Sequence, residues 1–218
     1  MKRREFISTA SLGKPMPVTA RAFACAITVA AITGVASSGA LAQTKQQFNW
    51  CIAENNPTPD QKISGCTAVI QAGKLKGKRL AFAFINRGVG YYEKGQYDRA
   101  IQDYDQAIKF DPKYALAFNN RCAVYHKKGE YDRAIQECNQ AIKLNPKYAD
   151  AFFNRGNTYQ NKGQYDRAIQ DYDQAIKLNP DHVGAFYNRS LAKKHKGDEA
   201  GAEADLATAR KINPNIGQ

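Results

Sequence analysis

Long apolar runs are scarce in this chain of 218 residues. The one candidate, AFACAITVAAITGVA at 22–36, is shorter than the roughly 20 residues that a membrane-spanning helix needs. Histidine is rare as well. His126, His182 and His195 are scattered and form neither H-x-x-x-H nor H-E-x-x-H, which removes the zinc-hydrolase patterns. The five cysteines contain no C-x-x-C, so zinc-ribbon and thioredoxin-like redox readings fail. No G-x-S-x-G, P-loop or G-x-G-x-x-G occurs. Lacking a nucleophile–base set and a metal set, the sequence reads as a non-enzyme with no cofactor. Acidic residues are the last shortage: 20 Asp and Glu stand against 32 Lys and Arg, a net charge of +12. Such a balance invites a nucleic-acid partner, but no basic stripe with interleaved exposed aromatics supports one.

Much of the excess charge sits at the N-terminus. MKRREFI is basic, the apolar run follows Arg21, and SSGALAQ then offers an A-x-A site at Ala40-Leu41-Ala42. Charge, apolar core and small-residue site, in that order, are the layout of a secretory signal, here 1–42. Arg3-Arg4-Glu5-Phe6-Ile7 resembles a twin-arginine signal, whereas a start at Met16 would give an ordinary one, so the export route stays open. No cysteine follows the cleavage site to carry a lipid anchor. Cleavage removes Lys2, Arg3, Arg4, Lys14 and Arg21 against Glu5, a net +4, and the charge falls from +12 to +8. A periplasmic or secreted location is expected, with no integral membrane span once the signal is gone.

The rest is dominated by one sentence said again and again. YDRAIQDYDQAIK stands at 97–109 and 165–177, with the variant YDRAIQECNQAIK at 131–143. Tyr97, Tyr131 and Tyr165 are 34 apart, as are Phe84, Phe118, Phe152 and Phe186, and Pro112, Pro146, Pro180 and Pro214. Four units follow, 81–114, 115–148, 149–182 and 183–216, and a fixed period of this length means a repeat architecture. Each unit reads as two helices. Phe84, Arg87, Gly88 and Tyr91 share one helical face, and Ala100, Ile101, Tyr104, Ala107 and Ile108 share another. Gly95 separates them and Asp111-Pro112 stops the second.

Phe84, Gly88, Tyr91, Gly95, Tyr97, Ala100, Tyr104, Ala107 and Pro112 resemble the tetratricopeptide repeat. The resemblance covers 81–216. It implies an all-α fold, a right-handed α-solenoid of antiparallel helix pairs with a concave groove lined by the first helices. Arg87, Arg121, Arg155 and Arg189 depart from it, standing where the family usually has leucine. Each has an acid sixteen residues on, Asp103, Glu137, Asp171 or Asp205, and an ion pair across each hairpin is expected. The last unit reads as a C-terminal cap, being alanine-rich and without bulky aromatics in its second helix. Residues 43–80 read as a degenerate N-terminal hairpin followed by a basic connector at 72–79.

In a hairpin that turns near position 16 of the unit, positions summing to about 32 face each other. Cys122 at position 8 and Cys138 at position 24 satisfy this, and Cys51 and Cys66 flank a turn in the same way. Cys51–Cys66 and Cys122–Cys138 disulfides are expected in an exported chain, one of three possible connectivities. The bland alternative is buried free thiols.

Position 6 repeats an asparagine: Asn86, Asn120, Asn154 and Asn188. The resemblance implies that this position faces the groove, where an amide can donate to and accept from a peptide backbone. Specificity would come from Ile85, Asn119, Phe153 and Tyr187 at position 5 and Tyr92, His126, Gln160 and Lys194 at position 12. Simple copying of the asparagine by duplication is the competing account. The reading is an exported scaffold holding a protein or peptide in its groove. The alternative is an envelope-associated protein whose basic surface contacts anionic cell-wall or lipid polymers.

Overall fold

The computed structural model describes residues 38–217, with side chains from Thr44 onward; most of the expected signal segment lies outside the described residues. Ten helices and no strands occur among the described residues. They are α1 (Ser38–Cys51), α2 (Pro59–Gln71), α3 (Gly77–Glu93), α4 (Tyr97–Phe110), α5 (Ala115–Lys127), α6 (Tyr131–Leu144), α7 (Ala149–Asn161), α8 (Tyr165–Leu178), α9 (Val183–His195) and α10 (Glu199–Ile212). The all-α class expected from the sequence holds. The described residues fall into two compact units, one ending at Asn120 and the other beginning at Arg121. In the first, α1 packs on α2, α2 on α3 and α3 on α4. In the second, α6 through α10 stack in chain order, and α7 also touches α9.

The helix boundaries follow the local chemistry. Gly95, Gly129, Gly163 and Gly197 each end a first helix with positive φ, the left-handed conformation that glycine adopts without a Cβ penalty. The first three of these turns lack a side-chain cap on the second helix, because Gln96, Glu130 and Gln164 instead accept from the arginine three residues on. Side-chain caps close the N-termini of α2, α9 and α10, from Thr58, His182 and Asp198. One boundary differs from expectation. The helix α3 starts at Gly77, inside the stretch read as connector. The regular first helices follow an Asp-Pro or Asn-Pro stop, whereas no proline precedes this one, so nothing halts the helix before Gly77.

Small residues set how closely each hairpin closes. A Cβ built on Gly88 would stand 2.6 Å from the Tyr104 ring, and one on Gly156 would stand 2.8 Å from the Tyr172 ring. Both rings are fully buried. In the hairpin of α5 and α6 the same two places hold Cys122 and Cys138, whose sulfurs are 2.10 Å apart; Cys51 and Cys66 are joined likewise at 2.19 Å between α1 and α2. The expected pairing is therefore the one the structure adopts.

The arginine–acid pairs across the hairpins are also present. Arg87 Nε and Nη2 donate to the two oxygens of Asp103, each at 2.8 Å. Arg155 grips Asp171 in the same fork, and Arg189 grips Asp205. Arg121 places Nε and Nη2 on Glu137 Oε2 at 2.9 and 2.7 Å. The remaining nitrogen explains why leucine would not serve. Nη1 of Arg155 reaches Asn139 on the preceding helix α6, and that of Arg189 reaches Asp173 on α8. One guanidinium thus holds its own hairpin and its neighbour. The bond from Asp103 raises the pKa of Arg87, and burial pushes the Asp103 carboxyl up against the pull of the guanidinium. Burial acts the same way on Asp205, but Arg189 and Lys193 together hold that carboxyl below its ordinary value.

Candidate functional site

The four position-6 asparagines differ in what they touch. Asn86 is buried and its Nδ2 donates to the Cys51 carbonyl at 2.7 Å, which ties α3 to the C-terminal end of α1. Asn120 is fully buried, and neither polar atom of its side chain has a partner among the described residues. Asn154 is buried on α7, and its backbone carbonyl accepts from the Thr158 hydroxyl at 2.8 Å. Asn188, on α9, is half-buried and its Nδ2 donates to Asn157 Oδ1 at 2.7 Å.

The position-5 side chains, expected to provide specificity in a groove, are packed inside instead. Phe153 is 1% exposed, with the His182 ring 4.6 Å and the Tyr172 ring 6.0 Å away. A Cβ on Gly184 would stand 3.1 Å from the Phe153 ring, so that glycine makes room for it. Tyr187 is 8% exposed and packs against Gly217. The physical reason is hydrophobic: a large aromatic on the seam between successive first helices gains more by burial than by facing water.

Position 12 varies more. Tyr92 is half-buried, and burial, with Tyr97 nearby, pushes its hydroxyl up to about 12. His126 was expected to face a ligand, but it is 6% exposed and held from both sides. Its Nδ1 lies 3.0 Å from Thr158 Oγ1 and its Nε2 lies 3.2 Å from Asn161 Nδ2. Because the Thr158 proton goes to the Asn154 carbonyl, Thr158 accepts from Nδ1–H and Asn161 donates to Nε2. The ring is neutral in this arrangement, and burial with Lys127 beside it lowers its pKa to about 4. Lys194 is exposed on α9.

What the repeat pattern concealed is a polar cluster centred on α7. The Tyr172 hydroxyl, with one proton to give, sits 2.9 Å from Asn157 Oδ1 and 2.8 Å from Gln160 Oε1. Asn157 is 5% exposed, and its Nδ2 donor has no partner among the described residues. A signal was available: α7 carries N-T-Y-Q-N at 157–161, where α3 carries V-G-Y-Y-E and α5 carries A-V-Y-H-K. Among the described residues no group of three or more His, Cys, Asp and Glu side chains is placed to hold a metal ion. No described helix is long and apolar enough to cross a membrane.

The tetratricopeptide repeat profile matches residues 149–182, and a second TPR repeat profile matches 88–129 and 123–163. Residues 88–182 are therefore tetratricopeptide repeats. Solved structures agree in fold. MamA is similar at 24% identity over 82% of this chain and 95% of its own, with a TM-score of 0.61. MamA from Desulfovibrio magneticus RS-1 is 17% identical over 81% of this chain and 97% of its own, at 0.64. The first TPR of Spaghetti (RPAP3), bound to the HSP90 peptide SRMEEVD, is 24% identical over 56% of this chain and 97% of its own, at 0.54. Among curated protein sequences none matches this chain. Within this TPR protein, Arg87, Arg121, Arg155 and Arg189 take over with ion pairs the packing that the family usually gives to leucine, and the amides of α7 and α9 form the candidate recognition surface.

Proposed function

We propose that this TPR protein is an exported, disulfide-stapled scaffold that binds an extended segment of another protein on the first-helix face of α7 and α9. The observation that carries the reading is the amide row of Asn154, Asn157, Gln160 and Asn188, in which Asn157 keeps a buried donor unspent. A buried N–H without an acceptor is costly, so the Asn157 amide gains by turning its donor outward to a peptide carbonyl laid along α7 beside the half-buried Gln160 and Asn188. Amides also accept and donate without reading side chains, which suits main-chain recognition. The RPAP3 repeat domain with its bound peptide supports a protein segment as the class of partner. The N-terminal layout of charge, apolar run and A-x-A site supports export.

The test is capture from the exported protein fraction by the immobilised chain and by an Asn157→Ala/Asn188→Ala variant. Loss of capture with unchanged helical circular dichroism is the expected outcome. Equal capture by both would reject the amide row, and steep loss of capture by the parent as salt rises would favour an anionic polymer instead.

A further inference from the structure

The hairpin of α5 and α6 differs from its neighbours in what holds it shut. Between α3 and α4 a fully buried Tyr104 ring fills the space over Gly88, and between α7 and α8 Tyr172 does the same over Gly156. Between α5 and α6 the ring is gone, and Cys122 and Cys138, both fully buried, bridge the gap by a bond. The hairpin has exchanged non-covalent cohesion for a covalent link. Reduced, it keeps the packing of Ala134 and Tyr125 around two small thiols but has neither the bond nor the ring. Its ion pair does not compensate, because the Glu137 side chain is 18% exposed where Asp103 and Asp171 are 5% and 6%, and water weakens such a pair. The hairpin also positions the next element, since His126 on α5 bonds Thr158 and Asn161 of α7.

We propose that α5–α6 is a redox-dependent folding element: the hairpin closes firmly, and seats α7 beside it, only when Cys122 and Cys138 are oxidised. This holds whether or not the amide row binds peptide. The chemistry is thiol–disulfide exchange. An oxidised dithiol catalyst takes two electrons and two protons from the cysteines and leaves as the reduced dithiol; a reduced dithiol reverses this through a mixed disulfide. Because both sulfurs are buried, exchange requires the hairpin to open first. A link closing a loop of this length shifts the opening equilibrium by roughly a hundredfold.

Hydrogen exchange of the full chain, read by mass spectrometry in a Cys51→Ser/Cys66→Ser background, isolates this bond. Treatment with dithiothreitol should speed exchange of the α5 and α6 amides by roughly a hundredfold and leave α9 and α10 unchanged. Cys122→Ser/Cys138→Ser should show the fast pattern without reductant, and Cys122→Gly/Cys138→Tyr, which restores the ring and its glycine, should be slow with or without it. Serine-pair exchange within about threefold of the oxidised parent would overturn the proposal. A Gly/Tyr variant exchanging like the serine pair would overturn it too, since the slot would then not accept the ring.

Discussion

Lowering the pH from about 7.5 to about 5 is expected to cost the folded chain about 2 kcal/mol through His126 alone. The ring is 6% exposed and its pKa is lowered to about 4, first by burial and then by Lys127. Unfolded, it returns to about 6.5. The sign follows from which state takes the proton. Below about 6.5 the unfolded chain binds a proton that the folded chain refuses until about pH 4, so the stabilisation is full above 6.5 and is lost as pH falls through that window. The slope is about 1.4 kcal/mol per pH unit, which gives about 2 kcal/mol at pH 5 and about 3 kcal/mol once the window is passed. The hydrogen bonds say why refusal is strong. A proton on Nε2 would face the Asn161 amide N–H, so the amide would have to turn over, and the cation would stay out of water. Urea unfolding of the parent and of His126→Gln at the two pH values tests this. Carboxylates titrate in both proteins, so the difference between them belongs to the histidine. The parent should lose about 2 kcal/mol more than the variant, and losses equal to within about 0.5 kcal/mol would refute the reasoning.

Other perturbations test the packing. Arg155→Met leaves Asp171 buried beside no cation and should cost about 3–5 kcal/mol by chemical denaturation, whereas adding Asp171→Leu should restore most of it. Gly156→Ala drives a methyl into the Tyr172 ring and should cost about 1–3 kcal/mol. Gly163→Ala meets nothing within 4 Å but needs positive φ, so about 1 kcal/mol is expected from conformation alone, read from the same denaturation midpoints. Gly184→Ala should shift the Phe153 ring and lower the thermal midpoint, while Lys194→Ala, exposed at the far end of the same helix, should leave it unchanged.

The period, the helix pairs, the cysteine partners and the arginine–acid pairs could all be read from spacing. Each depends on residues fixed a set number of positions apart on a helix or across one short turn, where the backbone leaves little choice. The roles of His126, Phe153 and Asn86 could not. Spacing places a side chain on a face, but whether that face meets solvent depends on what packs there next. His126 is decided by Thr158 and Asn161, some thirty residues along the chain, Phe153 by the room that Gly184 leaves, and Asn86 by the carbonyl of Cys51. The amide cluster of α7 was masked by the repeat itself, because a pattern shared by every unit draws the eye from the unit that departs from it. The sequence by itself therefore determined the architecture and its staples, since those are local rules repeated at a fixed interval. Only the tertiary structure decided which polar groups the fold satisfies and which, Asn157 Nδ2 and both polar atoms of Asn120 among them, it leaves without a partner among the described residues, because hydrogen-bond satisfaction is settled between elements.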